Sequence, residues 1–271
     1  MTDKYKKRTQ GFTLVELSIV IIIIGFLIAG VSAGQSLIRQ AALNSVITDF
    51  QMYQTAYNNF VGRYGEIPGD MVDGMSYWGT ACDSSVNNFC NGNGDGVINM
   101  AHAAYYETFA AWKELSLAGM IVSLPGPVNP SSQPIIGVDS PASRINNAGY
   151  SLSVGTGNEL EEPSYTMWHL GADPLINVIM IGTANTIGSN ILDGGVLSPI
   201  ESFNIDQKID DGNTDSSGNL IGAGSGILRT FSSFTLLHPE DCLLQPGINL
   251  YYYNPNGQGS GCVIIMAVNQ D

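Results

Sequence analysis

The sequence predicts an α+β protein, a globular domain laid on the second half of one long N-terminal helix. Three observations carry that prediction. No proline interrupts residues 12–62, and apolar residues recur through them at helical spacing. A further helical stretch at 101–122 is followed by β-branched runs at 150–154, 175–183 and 262–268, bounded by Gly, Asn and Pro. Four cysteines, Cys82, Cys90, Cys242 and Cys262, fall into two local pairs that can close loops within the domain.

The first helix has two halves. Between Glu16 and Arg39 lie 22 residues without a charged side chain. At about 1.5 Å per residue that length crosses a hydrocarbon core of about 30 Å. Gly25, Gly30 and Gly34 lie in this half, where small residues permit close helix contact. From Arg39 onward the pattern becomes amphipathic. Ala42, Val46, Phe50, Tyr53, Tyr57 and Phe60 or Val61 form one face, with Asp49, Gln51 and Asn58 between them. A continuous helix of about 50 residues is on the order of 75 Å long. Glu16 stands out, because an acid at the mouth of an apolar segment is costly and marks a functional position.

The remaining elements follow in order. Gly62 to Asp70 ends the helix with a Pro68-Gly69 turn. Residues 73–99 are rich in Gly, Asn, Asp and Ser and show no periodicity. The helix at 101–122 carries Tyr105, Phe109, Trp112 and Leu115 or Leu117 on one side, with Gly119 near its C-cap. Ser198-Pro199-Ile200-Glu201 is a capping box with proline at the first helical position, so a helix is expected from Pro199 to Ile209. Residues 212–226 are expected to be loop. Tyr251, Tyr252 and Tyr253 would alternate faces in a strand, leaving at least one exposed.

Charge narrows the function. The 271 residues carry a net charge of −14, and the first eleven contribute +3 through Lys4, Lys6, Lys7, Arg8 and Asp3. Without them the chain stands at −17, a poor match for nucleic acid, whose binding is driven by phosphate neutralisation. The basic leader stays cytoplasmic, so the acidic domain is expected outside. In an oxidising compartment the cysteines are expected as disulfides. Four allow three connectivities, and local pairing, Cys82–Cys90 and Cys242–Cys262, is the expectation. Zinc is disfavoured because no C-x-x-C occurs and His102, His169 and His238 are scattered. There is no G-x-S-x-G, P-loop or H-E-x-x-H, so no enzyme is expected.

An ordinary secretory signal has its cleavage site after the apolar core. Here a Gly11-Phe12 junction precedes it. The run Gly11-Phe12-Thr13-Leu14-Val15-Glu16-Leu17 resembles the leader of type IV pilins and type II secretion pseudopilins. The resemblance covers about the first 50 residues. It implies that residues 1–11 are a prepilin leader and that a prepilin peptidase cuts after Gly11. Phe12 would become the methylated N-terminus and Glu16 the acid that neutralises a neighbour's Phe12 amine. Residues 12–38 would be the transmembrane and filament-core helix. Residues 39–271 would be its amphipathic continuation and an extracytoplasmic head, giving a pilin-like α+β fold with a helical spine on an antiparallel sheet. Function follows as a structural subunit of a pilus or secretion pseudopilus. It would sit in the bacterial inner membrane with lipid as its first partner, then assemble with other subunits through a membrane platform. The alternative is a membrane-anchored binding protein or adhesin that uses the leader for export. Many pilins carry a proline in the apolar half; this chain has none there. The resemblance also likens the stretch between Cys242 and Cys262 to the C-terminal disulfide-bounded loop of pilins.

Asn91-Gly92-Asn93-Gly94-Asp95-Gly96-Val97-Ile98 has the first eight positions of a calcium loop, in which alternate oxygen-bearing side chains meet one ion. Such loops also occur in pseudopilins. Asn91, Asn93 and Asp95 are expected to give side-chain oxygens and Val97 its carbonyl. The closing acid would fall at His102, which is unsuited to a hard cation. Glu107, Asp70, Asp73 or Asp83 could supply a carboxylate from outside, Glu107 first because its helix could fold it over the loop. A second acidic stretch, Asp206 to Asn213, places acids at a helix C-terminus against the macrodipole. It invites a cation or the Lys208 ammonium, although a solvated turn explains it as well.

Overall fold

Helix α1 (Leu14–Tyr64) is 51 residues long, as the proline-free periodic sequence predicts. The structure, a computed structural model, describes residues 12–82, 89–99, 107–124, 133–155, 176–184, 191–210, 212–223, 226–232, 242–247, 250–257, 259 and 261–268. The chain divides into two units, Met1–Ala41 and Ala42–Asp271, and α1 contributes residues to both.

In the first unit the apolar half of α1 has no buried stripe. Its large side chains from Phe12 to Ile38 are exposed all round the helix, the pattern of a helix covered by lipid or by other helices rather than by its own domain. Among the described residues α1 is the one helix long and apolar enough to cross a membrane.

In the second unit the amphipathic half behaves differently. Ala42, Val46, Phe50, Tyr53, Tyr57 and Phe60 are all buried, the face that the spacing predicts. They pack on one face of a four-stranded antiparallel sheet. Its strands are β1 (Gly149–Gly155), β2 (Ile176–Gly182), β8 (Cys262–Ala267) and β5 (Leu228–Ser232), in that order. Alternation along β2 sorts its side chains. Ile179 and Ile181 join the core under α1, while Val178 and Met180 join Val263, Ile265 and Ile191 on the other face. Both faces being covered explains why β2 and β8 are continuous apolar runs. Tyr150 ties β1 to the helix. Its ring meets Phe50 and Tyr53 edge-on at 5.8 and 5.0 Å, and its hydroxyl donates to Asp49 at 2.8 Å.

A second sheet has the order β3–β4–β7–β6, with β3 (Asn213–Thr214), β4 (Leu220–Ile221), β6 (Leu243–Gly247) and β7 (Leu250–Tyr253). The stretch expected as loop at 212–226 thus contains the hairpin β3–β4. Its tip is closed by Asp215, whose carboxylate accepts from the Ser217 and Asn219 amides at 2.8 and 2.9 Å. Within β7 Tyr253 is buried and Tyr252 half-buried. The disulfide Cys242–Cys262 (Cα–Cα 5.3 Å) joins the start of β6 to β8, and therefore the two sheets.

Helix α4 (Pro199–Ile209) has the predicted bounds and the predicted capping box. Ser198 Oγ accepts the Glu201 amide at 3.3 Å, and Glu201 Oε2 accepts the Ser198 amide at 2.9 Å. The acids at its far end are held by protein donors. Asp206 is buried and accepts the Tyr253 hydroxyl at 2.8 Å, and Asp210 accepts the Ile227 and Leu228 amides. Lys208 instead donates to Asn44 on α1 at 2.9 Å. Asp211 lies outside the described residues.

Short helix α2 (Gly74–Trp78) and helix α3 (Glu107–Leu117) frame the loop at 89–99. α3 ends at Leu117, short of the expected 122, and Gly119, at φ +72°, lies just past that end. Residues 101–106, with His102 and Tyr105, lie outside the described residues, as do Asp83, His169 and His238. The disulfide Cys82–Cys90 (Cα–Cα 5.9 Å) pins the segment entering the loop and is buried with Phe89, Phe109 and Ala110.

Candidate functional site

Two regions carry the residues singled out by sequence. The first is the start of α1. Gly11 lies outside the described residues, and Phe12 is exposed immediately before the helix. Glu16 folds back on its own helix end. Glu16 Oε2 accepts the Thr13 amide at 2.8 Å and the Thr13 hydroxyl at 2.9 Å, and Thr13 Oγ1 accepts the Glu16 amide at 3.3 Å. This reciprocal pair is a capping box. It satisfies donors that the first turn leaves open and gives the carboxylate partners within its own chain. The signal was present as Thr-x-x-Glu ahead of an apolar run, although the sequence reading assigned no role to Thr13.

The second region is the loop 91–99. Asn93 Oδ1 accepts the Asp95 amide at 2.8 Å, and Asp95 Oδ1 accepts the Val97 amide at 3.0 Å. Asp95 Oδ2 takes the side-chain amides of Asn93 and Asn99 at 2.9 and 3.0 Å. Glu107, at the start of α3, reaches the loop as expected, accepting the Asn93 and Asn99 amides at 3.2 and 2.7 Å. Asn91 turns the other way. Its Oδ1 accepts the Met75 amide at 2.9 Å, capping α2 where Asp73 makes no side-chain cap. The place near the loop is taken by Asp70, which accepts the Gly94 amide at 2.6 Å and the Gly96 amide at 2.7 Å. Gly92 makes this possible: a Cβ there would overlap the backbone of Asp70.

Asp70 and Glu107 are buried, and Asp95 is exposed. Burial pushes the Asp70 carboxyl up despite its two amide donors, and the Asp95 charge adds to the rise. Burial likewise raises Glu107 to about 7, with Asp70 contributing. At Asp95 burial opposes the charge, but donors from Val97, Asn99 and Asn93 together outweigh it and hold the carboxyl low. Behind the loop Glu114 is wholly buried, bonded to the Gly69 amide at 2.6 Å, and raised well above the usual range by burial and then by Asp70, Glu66 and Glu107.

Among the described residues no three His, Cys, Asp or Glu side chains gather closely enough to form a metal cluster by themselves. A cation here would therefore need amide and carbonyl oxygens beside the acids. The donor set has that character. Asp70, Asp95 and Glu107 are hard carboxylates beside Asn93 and the Val97 carbonyl, and an oxygen that accepts one amide keeps a second lone pair. The oxygens of all three acids and Asn93 Oδ1 already accept amides of the protein, and Asn91 Oδ1 faces α2.

Residues 6–32 match the family model for the prokaryotic N-terminal methylation motif, the prepilin-type cleavage and methylation segment of type IV pilins and pseudopilins. No curated protein and no solved structure matches the chain. The chain thus carries a prepilin-type segment at its N-terminus, followed by an α+β fold with a long apolar helix and antiparallel sheets. Together the motif and the helix point to a membrane anchor with an exported head.

Proposed function

We propose that the protein is a structural subunit of a type IV filament, a pilus or a type II secretion pseudopilus. The observation that carries this reading is the all-round apolar exposure of residues 12–38 above a single acid. Lipid covers that surface before assembly, and helices of neighbouring subunits cover it afterwards. Prepilin peptidase removes the leader after Gly11, and the assembly platform extracts the subunit. Glu16 then exchanges its Thr13 bonds for the Phe12 amine of a neighbour. An unpaired buried acid is strongly unfavourable, so this exchange sets the axial register. The chain is a substrate of the peptidase and catalyses nothing itself. Mass spectrometry of filaments sheared from the native host tests this directly. Peptides of the head together with an N-terminus at Phe12 support it. A processed chain that stays in the membrane of cells making filaments overturns it in favour of the anchored binding protein.

Calcium at the 91–99 loop is a second part of the proposal, motivated by the alternating oxygen-bearing side chains of Asn93 and Asp95 in a glycine-rich turn. Asn93, Asp95 and the Val97 carbonyl are the proposed ligands, with one carboxylate from outside the loop, Asp70 or Glu107, completing the set. The ion offsets the repulsion among these carboxylates and fixes the loop against α3.

A further inference from the structure

We propose that Glu114, on α3, is a proton-dependent latch: as a neutral carboxylic acid it holds the connection between α1 and α2 against α3, and as a carboxylate it releases that connection.

Glu114 is wholly buried within α3. Its Oε2 accepts the Gly69 amide at 2.6 Å, and its Oε1 has no hydrogen-bond partner among the described residues. The charged groups that bear on it are Asp70 and Glu66 from the connection and Glu107 from its own helix, and all three are acids. Helix α2 brings only Gly74 to it, where a Cβ would lie 3.2 Å from Glu114 Oε1. A carboxylate taken out of water needs a cation or several donors. One amide beside three acids does not supply that, so the fold holds Glu114 protonated. Burial first, and then these acids, keep its carboxyl well above the usual range.

The bond crosses a close backbone contact. Gly69 follows Pro68 at φ +88°, and a Cβ there would overlap the Glu107 carbonyl and crowd Ala111. Glycine therefore lets the connection lie directly on α3, where its amide reaches Glu114. The two sides are not equally anchored. Helix α3 is buried from Glu107 to Trp112, and the Trp112 ring meets Tyr53 of α1 edge-on at 5.0 Å. The connection is buried at Met71 but exposed at Gly65, Val72 and Asp73. Two of its bonds are local, from the Asp70 amide to the Ile67 carbonyl at 3.3 Å and from the Val72 amide to Glu66 at 2.9 Å. It is the side that yields when an ionised Glu114 draws in water, a local opening rather than a global one. A raised carboxyl favours the protonated fold. The hold is therefore complete below the ordinary value of 4.5 and is lost as pH climbs through the raised one.

The test compares urea unfolding of full-length, detergent-solubilised wild type and Glu114→Gln from about pH 5 to about pH 9. Chelator is present throughout, so neither result depends on the calcium reading. Glutamine keeps the shape, accepts the Gly69 amide and cannot ionise. The unfolding equilibrium constant of wild type relative to the variant should climb by up to about tenfold per pH unit until Glu114 ionises in the fold. Asp139 titrates in both proteins and cancels. A ratio that stays constant across the range overturns the proposal. Release is read by amide exchange on wild type over the same range, corrected for the intrinsic rise with pH. Protection at Gly69 should fall further than protection in β8. Equal falls, or no fall at Gly69, overturn the latch. Should Glu114→Gln fail to fold, that exchange comparison alone decides.

Discussion

Asp70→Asn tests whether Asp70 supplies the carboxylate that the proposed calcium site needs from outside the loop. The side chain keeps its shape and loses its charge. Asp70 accepts two amides, from Gly94 and Gly96. Asparagine can accept only at its oxygen, so one amide faces an NH₂ group. Gly94 and Gly96 are exposed, so water can take up the freed amide and the loss stays near the net worth of one hydrogen bond, about 1 kcal/mol. Removing a carboxylate that burial and Asp95 already penalise recovers part of that cost, so the baseline melting temperature should fall modestly. The calcium increment is the decisive quantity. With few acids in the set, a dissociation constant of roughly 10⁻⁴ to 10⁻³ M is expected, as in extracellular modules. At about 10 mM calcium, mass action then stabilises the fold by about 1.4–2.7 kcal/mol. For a domain of this size that raises the melting temperature by about 3–11 °C. Asp70→Asn should lose nearly all of this rise. Asn91→Ala should keep it, while losing about 1 kcal/mol of baseline stability with the cap on α2. Differential scanning calorimetry of the mature chain in calcium and in chelator measures both terms. A rise that survives in Asp70→Asn and vanishes in Asn91→Ala would refute the assignment.

Gly11→Val should block processing in the native host and leave membrane insertion intact, whereas wild type should begin at Phe12, probed by intact mass and N-terminal sequencing. Thr13→Val removes the hydroxyl that bonds Glu16 twice; it should cost about 0.5–2 kcal/mol of helix-end stability and speed amide exchange at Leu14–Leu17, with Thr13→Ser restoring both. Non-reducing peptide mapping should recover Cys82 linked to Cys90 and Cys242 linked to Cys262, and loss of the second bridge should cost about 3 kcal/mol, more than loss of the first, whose loop is shorter. Burial raises the Asp139 carboxyl from 3.8 to about 6, with the Ile135 amide at 2.6 Å holding the rise in check. A raised carboxyl favours the protonated fold, so its stabilising contribution is complete below the unfolded value and is lost as pH climbs through about 6. The full swing has a ceiling of about 3 kcal/mol, which solvent screening lowers. Asp139→Asn should remove that swing, and denaturant unfolding curves for the two proteins that stay parallel from acid to neutral pH would count against it.

The parts of the fold written in local chemistry were legible in the sequence. α1 is a single uninterrupted period, and α4 announces itself with Ser198, Pro199 and Glu201. β2 and β8 are apolar throughout because both faces are covered, which makes them visible as runs. β5 and β6 gave no such signal. β5 mixes Arg229 and Thr230 with Leu228 and Phe231, while β6 contains Pro246 and Gly247; both lie at sheet edges, where proline is tolerated and only one neighbour constrains the pattern. The hairpin β3–β4 has strands of two residues each, too short for any period to show. The loop divides along the same line. Asn93, Asp95 and Val97 could be picked out by their alternate spacing in one turn, and Glu107 by the helix that follows the loop. Asp70 was one of several acids that the sequence offered from outside the loop, and which of them reaches it depends on contacts between segments that no local pattern encodes. Asp70 is brought in by the Gly92 backbone lying directly against it. Asn91 shows the cost of extending a local pattern one position too far. Its neighbour Cys90 is pinned by the disulfide and Gly92 by Asp70, and between those two constraints its side chain caps α2 instead of facing the loop.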